Sequence, residues 1–199
     1  MYIPPYARID DIGAAHEIMR AHDFAVLVTA GETHVTHIPL LLAADEGPHG
    51  TLYGHMARAN PHGAALEKSD SIAIFSGPHA YISPSWYTDP SKRVPTWNYA
   101  AVHAHGRGQM LTEAKSEAAM ARLVSHFEPA RDWTLDSISA EYKAKLFAAI
   151  TPFKIVLTRI EAKAKLDQNK PGEDRIAAAE ALEARGMSAL AKLMREVAT

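Results

Sequence analysis

The chain has 199 residues, 47% hydrophobic and 22% charged, with a formal net charge of -2, which fits one ordinary globular domain with at most a short appended tail. That balance excludes a general attraction to nucleic acid or anionic lipid, so any DNA contact would need a local patch. The absence of cysteine excludes disulfides, thiolate metal sites and a cysteine nucleophile.

The opening residues Met1-Tyr2-Ile3-Pro4-Pro5-Tyr6 lack the charged and apolar regions of a signal peptide. No apolar run reaches the roughly 18 residues of a membrane span, and a cytoplasmic protein without membrane contact is expected. Asp10 or Asp11 is then placed to cap a helix running to about Arg20, with Ile12, Ala15 and Met19 on one stripe. Phe24 to Ala30 reads as a strand, Gly31-Glu32 as its turn, and Thr33 to Ala43 as a second strand. Pro39 withholds a ladder donor, so that second strand should lie at an edge or contain a bulge, with backbone groups free to bond a ligand.

After the loop Asp45 to Gly50, Thr51 to Ala57 forms a third strand, and Asn60-Pro61 opens a short helix to about Lys68. Ser71 to Ser76 is an apolar strand that the following segment is expected to continue through Tyr87. Val94 to about Leu111 is the next strand, in which Gly106 and Gly108 permit a bulge or close approach. Helices are expected over Thr112 to Phe127 and Ser137 to Ile150, and a long last strand over Phe153 to Leu166. Asp167 to Asp174 reads as a hinge before a helical tail, Glu173 to Ala198, interrupted at Gly186. Hairpin-like spacing without a repeating βα pattern favours a mainly β fold with peripheral helices (α+β), a small antiparallel barrel rather than a doubly wound sheet. The expected organisation is a domain over residues 1–170 and a helical tail over 171–199.

Four segments could carry chemistry. Tyr81 to Tyr99, dense in aromatics and prolines, suits a flat, partly polar ligand as well as it suits a packed ribbon corner. At Tyr53 to His62 a strand ends and a helix begins, so free amides, Arg58 and His55 could hold a phosphate; an exposed arginine beside a helix cap is the plainer alternative. Thr36 to Leu42, which includes His37, Ile38, Pro39 and Leu40, could pair through its backbone with a ring that has donor and acceptor edges, or is simply an edge strand guarded by proline. Lys163 to Lys170 is either a solvated basic run or, through Lys165, Gln168 and Asn169, a contribution to a ligand across a subunit boundary. His103 and His105 share a strand face without a third evident ligand, which makes a weak case for a metal, and haem ligation by a histidine is a further alternative. No serine-hydrolase, dinucleotide or Walker pattern occurs, and no catalytic residue is assigned.

The segments Met-Tyr-Ile-Pro (1–4), Gly-His-Met-Ala-Arg-Ala-Asn-Pro (54–61), Phe-Ser-Gly-Pro-His-Ala-Tyr-Ile-Ser-Pro-Ser-Trp-Tyr (75–87), Val-Pro-Thr-Trp-Asn-Tyr (94–99) and Lys-Leu-x-Gln-Asn (165–169) together resemble the PaiB-type FMN-binding proteins. Those are described as negative transcriptional regulators within the flavin-binding split barrels, a group that includes pyridoxamine phosphate oxidases. The resemblance implies an antiparallel split β-barrel of the FMN-binding type, and a homodimer with FMN at the subunit interface. It puts the phosphate on His55, Met56, Ala57, Arg58 and Asn60 and the ring along His37, Ile38, Pro39 and Leu40, with Trp97, Asn98 and Gln168 drawn from the partner chain.

Two functions follow as expectations: a flavin-binding regulator or sensor, and an FMN-dependent oxidoreductase acting on a small stacked substrate. A flavin carries its own redox chemistry, so the lack of a catalytic dyad does not separate them. Haem binding or degradation on the same barrel is the third. In the tail, Arg175, Arg185, Lys192 and Arg195 are nearly cancelled by Glu173, Asp174, Glu180, Glu183 and Glu196, which argues against strong direct DNA binding.

Overall fold

The computed structural model describes residues 1–197 apart from Glu32 and Arg131. Glu32 of the expected turn and Ala198 at the end of the expected tail helix lie outside the described residues. In chain order the elements are β1 (Arg8–Ile9), α1 (Ile12–Ala21), β2 (Phe24–Thr29), β3 (His34–Pro39), β4 (Leu41–Ala43), β5 (Thr51–Ala57), α2 (His62–Leu66), β6 (Asp70–Ile82) and β7 (Thr96–Met110). They continue with α3 (Glu113–Phe127), α4 (Ala140–Ala149), β8 (Ile150–Lys165), α5 (Gly172–Glu183) and α6 (Ser188–Glu196). Among the described residues no helix is long and apolar enough to cross a membrane.

The strand order is β3-β2-β6-β7-β8-β5-β4, with β1 paired to β8. The pairs β1–β8, β2–β3, β2–β6, β4–β5 and β5–β8 are all antiparallel, which rules out the doubly wound alternative. Local sequence accounts for most boundaries. Asp11 accepts a hydrogen bond from the Gly13 amide at 2.9 Å and starts α1, and Ser139 does the same for Tyr142 at 3.2 Å to start α4.

Two expected strands are shorter than anticipated. The run from Thr33 to Ala43 divides at Leu40, whose amide turns to the Asp23 carbonyl at 2.9 Å; β3 then pairs with β2, and β4 with β5. Having no amide hydrogen, Pro39 cannot extend a ladder, so one apolar run supplies the two ends of the sheet order. β6 stops at Ile82 rather than at Tyr87, because Pro84 begins a 3₁₀ turn capped by the Ser83 side chain.

The chain forms two compact units, each assembled from separate stretches. The first comprises Met1–Ile18, Ser76–Val102 and Glu161–Thr199. Its core sets Ala178, Ala179, Leu182, Leu190, Ala191 and Met194 of the tail helices against Ala80, Ile82, Tyr87, Ala100, Ala164 and Leu166. The expected hinge is instead anchored. Asp167, at φ 63°, accepts from the Tyr87 hydroxyl at 2.8 Å, and Asp174 accepts from Thr88 and Arg93.

The second unit comprises Met19–Phe75 and His103–Ile160 and buries Leu27, Leu52, Phe75, Phe153, Ile155 and Leu157 completely. A β-carbon on Gly106 would lie 2.4 Å from the Val156 carbonyl oxygen, and one on Gly108 would lie 2.2 Å from Leu66. Both glycines serve the close approach their positions suggested.

Candidate functional site

The second unit brings the β3 edge beside the end of β5. Because Leu40 bonds to Asp23 and the β2–β3 register places Ala25 opposite Ile38 and Leu27 opposite Thr36, the even residues of β3 direct their backbone groups to β2. Those of Val35 and His37, and the Pro39 carbonyl, therefore point outward from a strand at one end of the sheet order. Of the four expected ring-lining residues, His37 and Pro39 can offer backbone to a ligand. The side chains of Ile38 and Leu40 are buried in the core, and so is that of Met56. Gly54 permits this packing, since a β-carbon there would meet Leu40 at 2.7 Å.

Arg58 follows β5 and is exposed. Its Nε donates to the Ala148 carbonyl at 2.6 Å, and one terminal nitrogen donates to the Ile150 and Phe147 carbonyls at 2.7 and 3.4 Å. The guanidinium thus closes the C-terminus of α4, where a cation meets unpaired carbonyls and the negative end of the helix dipole. Its other terminal nitrogen is not used in these bonds. A cavity of 470 Å³ adjoins Arg58, lined also by Met110, Glu113, Phe147, Ala148 and Thr151; it falls in the size range of small-molecule sites. Among the expected cofactor residues, Arg58 alone lines it. A cation, a ligand-sized cavity and an open strand edge are features that suit an anionic molecule carrying a flat polar ring.

One group that the sequence did not single out ties this corner together. His62 is buried, its Nε2 2.7 Å from Thr29 Oγ1 and its Nδ1 2.7 Å from Thr36 Oγ1, while Thr29 also bonds Ser71 at 2.7 Å. Asn60 joins by donating to Thr36 at 3.4 Å and accepting from the His62 amide at 3.0 Å. The network fixes β3 against the β5–α2 junction, so Asn60 acts here on the protein rather than facing outward. Burial, with the His34 ring stacked at 5.4 Å, pushes the His62 pKa below its ordinary 6.5; burial lowers that of His55 as well.

A depressed histidine pKa stabilises the fold above the unfolded value, and that stability is lost as pH falls through 6.5 towards the folded value. His62→Gln is expected to show a smaller loss of stability than the parent between about pH 7 and 5, measured by urea unfolding. Equal losses would remove His62 from the acid response.

In the first unit, Trp97 is 56% exposed, with Tyr81 edge-on at 6.2 Å and His79 at 6.4 Å. Asn98 is fully buried and bonds Met194 Sδ at 3.6 Å. Gln168 spends its amide locally, accepting from Leu166 N at 2.7 Å and donating to the Ala164 carbonyl at 2.5 Å. Lys165 donates to Thr96 Oγ1 at 2.7 Å and to the Trp97 carbonyl at 2.8 Å. Burial lowers its pKa, and Lys170 and Lys163 act the same way against Asp167. Of the residues expected from a partner chain, only Trp97 presents an open side chain. Among the described residues no three histidine or acidic groups come together as a metal site.

A family model described as "Putative FMN-binding domain" matches residues 1–159. "Protease synthase and sporulation protein PAI 2" of Bacillus subtilis is 34% identical over 181 residues, covering 87% of this chain and 85% of that protein. The flavocytochrome Anf3 of Azotobacter vinelandii superposes with a TM-score of 0.61 at 17% identity, over 82% of this chain and 72% of that one. A Bacteroides thetaiotaomicron protein described as a putative 5-nitroimidazole antibiotic resistance protein gives 0.60 at 13% identity, over 78% and 85%. At those identities the two structures bear on the fold alone, and the fold they share with this chain is the expected split barrel.

Proposed function

We propose a function from the premise that this chain belongs to the FMN-binding domain family: it is a flavin-loaded regulator of the PaiB type, acting in the cytoplasm as a homodimer with FMN at the seams between its two subunits. The chain binds FMN, which when bound supplies redox chemistry at its ring, while the protein supplies grip and orientation. Arg58 and the Ala59 amide would hold the phosphate, the Arg58 and Asn60 amides being bonded to the Ala149 and Ala57 carbonyls, and the outward backbone of His37 and Pro39 would meet the ring edge. Trp97 of the second subunit would supply a stacking face, with the neighbouring Asn98 and Gln168 setting the shape of its strand and turn. The observation that carries this reading is the open edge of β3 held beside an exposed arginine by the His62 network.

The regulatory part is supported by the name of the Bacillus relative, a sporulation protein. It works through ligand state or a protein contact rather than a grip on DNA, because three of the four basic residues of the tail are engaged and the fourth, Arg175, is buried. Arg195 pairs with Glu183 at 2.9 Å, Lys192 with Glu196 at 3.8 Å, and Arg185 stacks over Trp86 at 4.6 Å. The open face of Trp97, Tyr81 and His79 favours a second reading, an oxidoreductase whose flat substrate stacks there.

FMN-loaded protein is expected to sediment as a dimer and to leave added NADH unconsumed in air. A flavin-loaded monomer would overturn the seam site. Steady NADH consumption at many turnovers per flavin would select the oxidoreductase.

A further inference from the structure

Among the described residues, one buried side-chain nitrogen or oxygen lacks a hydrogen-bond partner, and it is Nε of Arg175. This arginine is 8% exposed, and its guanidinium makes no hydrogen bond or ion pair with any described residue. A guanidinium is always charged, and burying one of its donors without an acceptor is unfavourable, while its terminal nitrogens keep a path to the surface.

Its position adds to the imbalance. Arg175 is the fourth residue of the twelve-residue helix α5, and long helical side chains lean back over the preceding turn. Accordingly, a β-carbon on Gly172 would lie 3.9 Å from its Nη2. The cation therefore lies over the N-terminal turn, where unpaired amides already create a positive potential.

Nothing among the described residues balances it. Pro171 stands at the cap position and gives no side-chain hydrogen bond. Both Asp174 oxygens are taken, one by Thr88 and the other by Arg93, and Asp167 accepts from Tyr87. Glu173, also in the first turn, is exposed and makes no bond to Arg175. Lys170, just before the helix, adds a further cation whose ammonium rests 4.6 Å from the Tyr87 ring centre.

We propose that Arg175 and the free amides of the first turn of α5 form a site for a phosphate group, one that does not depend on where the flavin lies. A guanidinium fork aimed at a helix N-terminus matches the geometry and charge of a phosphate. Inorganic phosphate and a small phosphorylated metabolite share that chemistry.

The test uses full-length protein saturated with FMN, so that the flavin's own phosphate site is filled, and compares phosphate with chloride at matched ionic strength. The melting temperature of the parent is expected to rise by about 2–4 °C in phosphate. In Arg175→Met the rise should vanish, and its melting temperature in chloride should equal or exceed the parent's, because an unbalanced buried charge has been removed. Arg175→Lys, which keeps charge but loses the fork, should show a reduced rise. An equal rise in parent and Arg175→Met would mean a general salt effect and overturn the site. So would a lower melting temperature of Arg175→Met in chloride, which would reveal a partner for the guanidinium within the folded assembly. A parent response seen only without FMN would assign the phosphate to the flavin site instead. Should Arg175→Met not fold, broadening of the ³¹P resonance of inorganic phosphate by the FMN-saturated parent, weaker with Arg175→Lys, carries the same test. No broadening by the parent would overturn the proposal, and a stronger thermal response to glycerol phosphate than to inorganic phosphate would identify a metabolite as the ligand.

Discussion

Replacing Asp174 with alanine is expected to lower the unfolding free energy by about 3 kcal/mol, the scale for removing one partner of a buried ion pair. Asp174 is fully buried. One oxygen accepts from the Thr88 amide and hydroxyl at 2.9 and 2.7 Å, and the other accepts two bonds from Arg93 at 3.0 and 2.7 Å. Burial alone would raise its pKa, yet the Thr88 bonds and the Arg93 charge together hold it below the usual 3.8. The stability it contributes is therefore present above that value and is lost as pH falls towards the folded-state pKa. Asp174→Asn should cost less, because an amide oxygen can still accept from Thr88. Urea unfolding of the three proteins at neutral pH decides the matter. A loss under about 1 kcal/mol in the alanine variant would show the pair to be no stronger than a surface salt bridge.

The second large effect concerns Arg58. Arg58→Ala should weaken FMN binding by about 2 kcal/mol, close to 30-fold, the scale of one charge-assisted hydrogen bond. A helix-capping role alone would predict something different: a loss of stability through the freed carbonyls of Ala148 and Ile150, with flavin affinity unchanged. Titrating refolded variant and parent with FMN, alongside their urea unfolding curves, separates the two roles. Equal affinities would leave Arg58 as the clasp of α4 and nothing more.

The fold was legible where backbone chemistry is local. Asp11 announced a helix start, Pro39 announced an edge, and Gly106 and Gly108 announced crowding that the structure places against Val156 and Leu66. Much less of the site could be read, because its contacts join residues far apart in the chain. Nothing around Arg58 in the sequence indicates that its guanidinium would close a helix ending at Ala149. His62 read as the end of a junction motif, yet its two threonine partners lie on β2 and β3. Asp167 to Asp174 looked like a linker by composition, and Tyr87, Thr88 and Arg93 turned it into an anchor. Asn98 and Gln168 are placed beside a ligand by the family resemblance, and the structure spends both side chains inside their own unit.

The central claim is that the chain grips FMN by its phosphate at residue 58. It is tested most directly by measuring the affinities of FMN and of riboflavin, which lacks the phosphate, for the parent and for Arg58→Ala. The account predicts that the parent strongly prefers FMN and that the variant loses most of this preference while its affinity for riboflavin barely changes. A preference for FMN of the same size in both proteins would place the phosphate elsewhere and contradict it.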